Sequence, residues 1–158
     1  MYLSLTSGIK VGVTRESQIP TRWIDQGAIK AIKLAKTPNR FIAGLIEIEM
    51  KQYLSDRTAW QRMLKNLVDE TTDLLKTKQN LINKFPDKYT SFVHNDDDII
   101  ELNYPIIKYP EKIKSINLDK MPIVSGTLTG IKGQYLYFDN EKVLNIRKHQ
   151  GYEVDFSF

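Results

Sequence analysis

The sequence predicts an α+β fold, in which a small antiparallel sheet backed by helices is followed by a C-terminal antiparallel β meander or partial barrel. Three observations predict it. Residues 2–6 and 9–14 alternate in polarity around Ser7-Gly8, and a two-residue link containing glycine is a strong hairpin signal. Two stretches between residues 37 and 84 repeat their apolar residues at helical spacing. From Ile123 onward, period-two runs alternate with turn residues. A chain of 158 residues is long enough to bury a sizeable core.

Taken in order, Ile9, Val11 and Val13 share one face of the second strand and leave Lys10, Gly12 and Thr14 on the other. Pro20 suits the first turn of a short helix and Gly27 its stop, with Arg22 and Gln26 four residues apart on one face. Residues 28–36 alternate as a third, half-covered strand. Thr37 and Pro38 then read as N-cap and first position of a helix whose stripe is Phe41, Ile42, Leu45, Ile46, Ile48 and Tyr53. Glu47 falls on its polar side and Glu49 inside the stripe. Ser55-Asp56 is expected to break this helix, and residues 58–65 to form a short one carrying Trp60, Met63 and Leu64. Asn66 reads as the cap of a long helix over 67–84, with Asp69 and Glu70 in its first turn and Pro86 beyond its end. Residues 86–122 read as an extended connector, with Tyr104-Pro105 and Tyr109-Pro110 enforcing extended backbone. Strands are expected at 124–128, 134–138, 143–147 and 152–156. The division is therefore 1–85, 86–122 and 123–158.

Composition narrows the function. No apolar run approaches the ~20 residues of a membrane span. The first ten residues lack the pattern of a secretion signal, and the absence of cysteine excludes disulfides and thiolate metal sites, which together suit the cytoplasm. Two histidines in unrelated places do not make a zinc site. Residues 1–60 carry nine Lys/Arg against five Asp/Glu, whereas the remainder is balanced at fourteen of each. The whole net charge of +4 thus sits on the first segment, and a local positive field favours phosphate-bearing partners. Asp96, Asp97 and Asp98 lack the spacing of a calcium loop. No nucleophile triad and no Walker or dinucleotide glycine pattern occurs.

Tyr2 in a first strand, Lys10-Val11-Gly12-Val13-Thr14 in a second, Arg22 and Gln26 on a helix and Glu47 on the next helix together resemble the GIY-YIG nuclease superfamily over residues 1–55. The resemblance implies Mg²⁺-assisted phosphodiester hydrolysis. Tyr2 would orient or deprotonate a water, Arg22 would stabilise phosphate charge, and Glu47 would hold the metal, with Glu49 as second choice. Two positions depart from the pattern: the second tyrosine is Lys10, and the histidine four residues after the arginine is Gln26. Lysine binds phosphate as a point charge but is a poor base at neutral pH, and glutamine cannot move a proton. The same lysine is typical of a branch taken to be DNA-binding. Across the whole chain, QIPTRWIDQGA, GIKGQYL and NIRKHQGY resemble an uncharacterised bacterial family whose longer members carry an upstream cysteine-rich segment.

Each candidate also has a plainer role. Tyr2 can be an edge-strand packing residue, Arg22 a cation–π partner of Trp23, and Glu47 a helix ion pair with Lys51. Tyr135, Tyr137, Arg147 and Lys148 would suit either a stacking platform or a half-buried sheet. The expected function is a nucleic-acid-interacting domain, with nuclease activity or binding alone as its two forms, Lys10, Thr14, Arg15, Arg22 and Gln26 supplying contacts. A structural protein assembling through the edge of its C-terminal sheet into a homo-oligomer is the alternative from another class.

Overall fold

The computed structural model describes residues 1–54, 59–69 and 71–157. The helix break expected at Ser55-Asp56, the helix start at Thr58 and the first-turn Glu70 lie outside the described residues. The chain divides into two compact units, Met1–Asn103 and Tyr104–Phe158. Each contains a four-stranded sheet, so the α+β class is observed, with no closed barrel.

In the first unit, β1 (Tyr2–Leu5) and β2 (Ile9–Gly12) form the hairpin, in register Tyr2↔Gly12 and Ser4↔Lys10. A 3₁₀ turn at Glu16–Gln18 leads to α1 (Thr21–Asp25), entered through a cis Ile19-Pro20 bond and stopped at Gly27 with φ +69°. Strand β3 (Lys30–Lys33) lies between β1 and β4 (Ile99–Glu101), giving the order β2-β1-β3-β4, antiparallel throughout. The segment 86–122 is therefore not an uninterrupted connector, since it supplies an edge strand here and another to the second sheet.

The two faces of this sheet are covered differently. Leu3, Leu5, Val11 and Ile32 face the main core, filled by Ile46 and Met50 of α2 (Arg40–Met50) and Leu74 and Leu81 of α4 (Leu74–Ile82). Tyr2 and Ala31 face the other way and pack with Trp23 of α1 and Ala28. Asn39, not Thr37, caps α2: its Oδ1 accepts the Ile42 N–H at 3.0 Å, while Thr37 Oγ1 donates to the Asn39 carbonyl. The buried stripe is Ala43, Ile46 and Met50; Phe41 and Ile48 are exposed, Phe41 at 72%.

The long helix expected over 67–84 is confined to α4. Before it, α3 (Trp60–Leu64) is closed by Lys65 and followed by Asn66, whose φ is +54°. Asp69 then bonds both the backbone N–H and the hydroxyl of Thr71, a local alternative that competes with helix. Asp73 supplies the cap instead, accepting the Lys76 N–H at 3.0 Å. Nine residues remain of an expected eighteen or so.

In the second unit the order is β5-β8-β7-β6, from β5 (Lys114–Ile116), β6 (Leu128–Lys132), β7 (Tyr135–Phe138) and β8 (Lys142–Asn145). Because β5 pairs parallel to β8, the sheet is mixed rather than a pure meander. Gly130 lies in β6, where a Cβ would stand 2.8 Å from Ile106 Cγ1. The strand expected at 152–156 does not form; Tyr152 anchors to Asp119 through its hydroxyl, and Val154 and Phe156 are exposed. No described helix is long and apolar enough to cross a membrane.

Candidate functional site

The face of the first sheet that carries Tyr2 brings several predicted residues together. Tyr2 occupies central strand β1 and is 1% exposed. Its ring passes over Gly12 on β2, so close that a Cβ there would lie 2.6 Å from both Cζ and the hydroxyl oxygen. It meets Trp23 edge to face, with ring centroids 5.8 Å apart. At the far end of the ring, the hydroxyl donates to Gln26 Oε1 at 2.9 Å and is hydrogen-bonded by Arg22. The short helix α1 thus sets Arg22 and Gln26, one turn apart, on the same phenol.

Electrostatics tie Glu47 to this cluster. The Tyr2 hydroxyl is held above the ordinary tyrosine range chiefly by burial, opposed by the Arg22 charge and the two hydrogen bonds and reinforced by the negative charge of Glu47. Glu47 on α2 acts on the phenol only through the weakest of these effects. Glu49 accepts instead from Gln52 Nε2 at 3.2 Å, one turn along its own helix. Among the described residues, no group of three or more His, Cys, Asp or Glu gathers as a metal site.

Lys10 does not sit at the surface. It pairs with Ser4, on the Tyr2 face of the sheet, and is 7% exposed. On this face Ser4 Oγ and Trp23 Nε1 are buried without a hydrogen-bond partner among the described residues.

Thr14 and Arg15 lead away from the cluster into a cleft of about 370 Å³. Its walls are the loop after β2, the end of β3, the start of α2 and His94. Lys33, which lines the cleft, is the cross-strand neighbour of Tyr2. Lys33, Lys36, Arg40 and His94 are cleft residues that the sequence did not single out. Lys33 could have been found by strand register, since it follows Ala31 on the face that Tyr2 shares; His94 arrives only through the tertiary bridge of Ala35 to Val93.

The acidic knot at 95–98 is a cation site of a different kind from a metal loop. Lys78 of α4, 1% exposed, places its Nζ 2.8 Å from Asp97 Oδ1 and 2.6 Å from the Asp96 carbonyl. In the second unit, Tyr137 is buried rather than offered for stacking, in keeping with the half-buried sheet.

Residues 1–154 match the family model described as "Protein of unknown function (DUF2797)". Comparison with curated proteins and comparison with solved structures each return no match.

Proposed function

The chain belongs to this family of unknown function, and we propose that it is a nucleic-acid-interacting domain of GIY-YIG-like design that binds phosphate rather than cleaves it. One observation carries this reading: Tyr2, Gly12, Arg22 and Gln26, from β1, β2 and the α1 segment, meet around a single phenol, on which the more distant Glu47 charge bears weakly. Arg22 is half-exposed and offers a guanidinium whose remaining N–H donors suit phosphate oxygens. The phenol fixes its position, as a hydrogen-bonded support does for a contact residue.

The same geometry argues against proton transfer. The Tyr2 proton is donated to an amide oxygen, which accepts a hydrogen bond but cannot carry the proton away. Burial keeps the phenol protonated, so it is a poor base at neutral pH. Magnesium is commonly held by one or two carboxylates together with substrate phosphates, so Glu47 alone suits a cation that arrives with nucleic acid. Such a cation would neutralise phosphate charge; the chain's own residues would orient the backbone.

Fluorescence anisotropy with labelled single- and double-stranded DNA and RNA tests the reading. Binding is expected to weaken steeply with salt, and Arg22→Ala to weaken it across sequences and reduce the salt slope by about 1. Absence of binding at low salt sinks the proposal. Mg²⁺-dependent cleavage that Glu47→Ala abolishes would instead establish the nuclease form.

A further inference from the structure

The cleft at the end of β3 has a lining that a continuous phosphodiester backbone does not require. Four cationic side chains, Arg15, Lys33, Lys36 and Arg40, stand against one carboxylate, Glu16, an excess of three among the lining side chains. Glu16 engages Lys36 at 2.9 Å, which leaves the other three cations in excess. His94 adds a donor. Its Nδ1 accepts the Asp96 N–H at 3.3 Å, which leaves Nε2 as the ring's donor. The start of α2, with no acidic residue in its first turn, contributes potential of the same sign.

The rest of the wall is apolar, from Val13, Ile19, Ala35 and Pro38. A volume of about 370 Å³ lies near the lower end of small-molecule sites, roughly 300–1,000 Å³. A space of that size admits one nucleotide and not a duplex. A phosphodiester carries a single charge, whereas a terminal phosphomonoester carries about two at neutral pH and presents three acceptor oxygens. Concentrated cations, a histidine donor and an apolar wall in one concavity match the second.

We propose that this cleft binds a phosphomonoester attached to a nucleoside, so that the domain holds nucleic acid by a phosphorylated strand end. The ligand chemistry is shared by a strand end and a free mononucleotide. As strand-end capture, the inference rests on the nucleic-acid reading above; as mononucleotide binding, it stands without it.

The test uses the full chain with 3′-labelled single-stranded oligonucleotides carrying a 5′-phosphate or a 5′-hydroxyl, their 5′-labelled counterparts carrying a 3′-phosphate or a 3′-hydroxyl, and calorimetry with AMP and with inorganic phosphate. A phosphorylated end is expected to tighten binding about tenfold or more, the scale of one or two charge-assisted contacts. Arg40→Ala and Lys33→Ala should each erase that preference while leaving the unphosphorylated strand within about twofold. Arg40 is exposed, so Arg40→Ala keeps the test intact should Lys33→Ala fail to fold. AMP binding without an end preference, lost in Arg40→Ala, would support the cleft and assign it to free nucleotides. AMP binding with no oligonucleotide binding at all would sink the nucleic-acid reading and keep the cleft. Oligonucleotide binding that depends on Arg22 but ignores end phosphorylation, with no AMP binding, overturns this inference alone. Inorganic phosphate binding as tightly as AMP overturns the nucleoside part.

Discussion

The ring of Tyr2 stands directly over Gly12, with room for a hydrogen and not for a methyl: a Cβ at residue 12 would lie 2.6 Å from Tyr2 Cζ. The backbone of Gly12 is ordinary strand, so the need for glycine is steric. Gly12→Ala must push a buried aromatic ring toward Trp23, and is expected to cost about 1–3 kcal/mol in urea denaturation, the usual penalty for overpacking. Gly44→Ala is the counterpart in the middle of α2. A Cβ there meets nothing within 4 Å, so that change should stabilise by about 0.5–1 kcal/mol through helix propensity. Equal effects of the two substitutions would contradict the packing described.

A second prediction concerns the proton of the same phenol. Gln26→Ala leaves the Tyr2 hydroxyl without its acceptor at a part-buried position, and is expected to cost about 1 kcal/mol. In a Tyr2→Phe background, where no O–H remains to be satisfied, the same substitution should cost less. A double-mutant cycle by chemical denaturation measures the difference; purely additive effects would show that the hydrogen bond contributes nothing to the fold.

The legibility of the chain tracks how local its determinants are. The hairpin, the short helix between Pro20 and Gly27 and strand β3 all follow from turn residues and period-two alternation, and all three are observed. Membership of an uncharacterised family was likewise readable from whole-chain likeness. Caps and lengths were less so, because Thr37, Asn39, Asn66 and Asp73 are all competent N-caps and only tertiary packing selects among them. Strands β4 and β5 escaped notice because their partners are far away in sequence and neither alternates over more than three residues. Around the Tyr2 phenol, the proximity of Gly12, Arg22 and Gln26 was legible from their order along the chain. The cationic cleft was not, since Arg15, Lys33, Arg40 and His94 come from four separate segments with no common spacing.

The buried ammonium of Lys78 gives a third prediction with an uneven outcome. Asp97 is half-exposed while Lys78 is enclosed, so the two partners are not equivalent. Asp97→Ala strands a charge in the protein with only the Asp96 carbonyl to meet it, and should destabilise by about 1–3 kcal/mol. Lys78→Met removes the charge while keeping the volume, and should be markedly milder. Urea midpoints for both variants settle the order; a larger loss for Lys78→Met would mean that the ion pair itself, rather than the cost of stranding its cation, dominates.

The second unit carries a lysine whose charge works against its own fold. Lys132 is fully buried in β6, with its Nζ 5.4 Å from the centre of the Tyr104 ring and 5.0 Å from that of Tyr109. Those ring faces attract an ammonium, yet burial still pushes Lys132 down to about 8 from its ordinary value of 10.5. A group with a depressed native pKa is protonated in the unfolded chain and neutral in the folded one between those two values. Folding then releases a proton, and stability rises with pH across that window, by up to about 1 kcal/mol per pH unit. Below about pH 8 the lysine is charged in both states, and the full cost of burying the charge is present. Tyr137, on the same face of this sheet, has a raised pKa and acts in the opposite sense only above its ordinary value of 10, at the top of that window. Lys132→Met should therefore stabilise the protein most near pH 7, with its advantage over the natural chain shrinking as pH rises from 8 to 10. Paired denaturation curves at pH 7, 8, 9 and 10 measure that difference, and a pH-independent gap between the two proteins would show that Lys132 keeps its proton in the fold throughout.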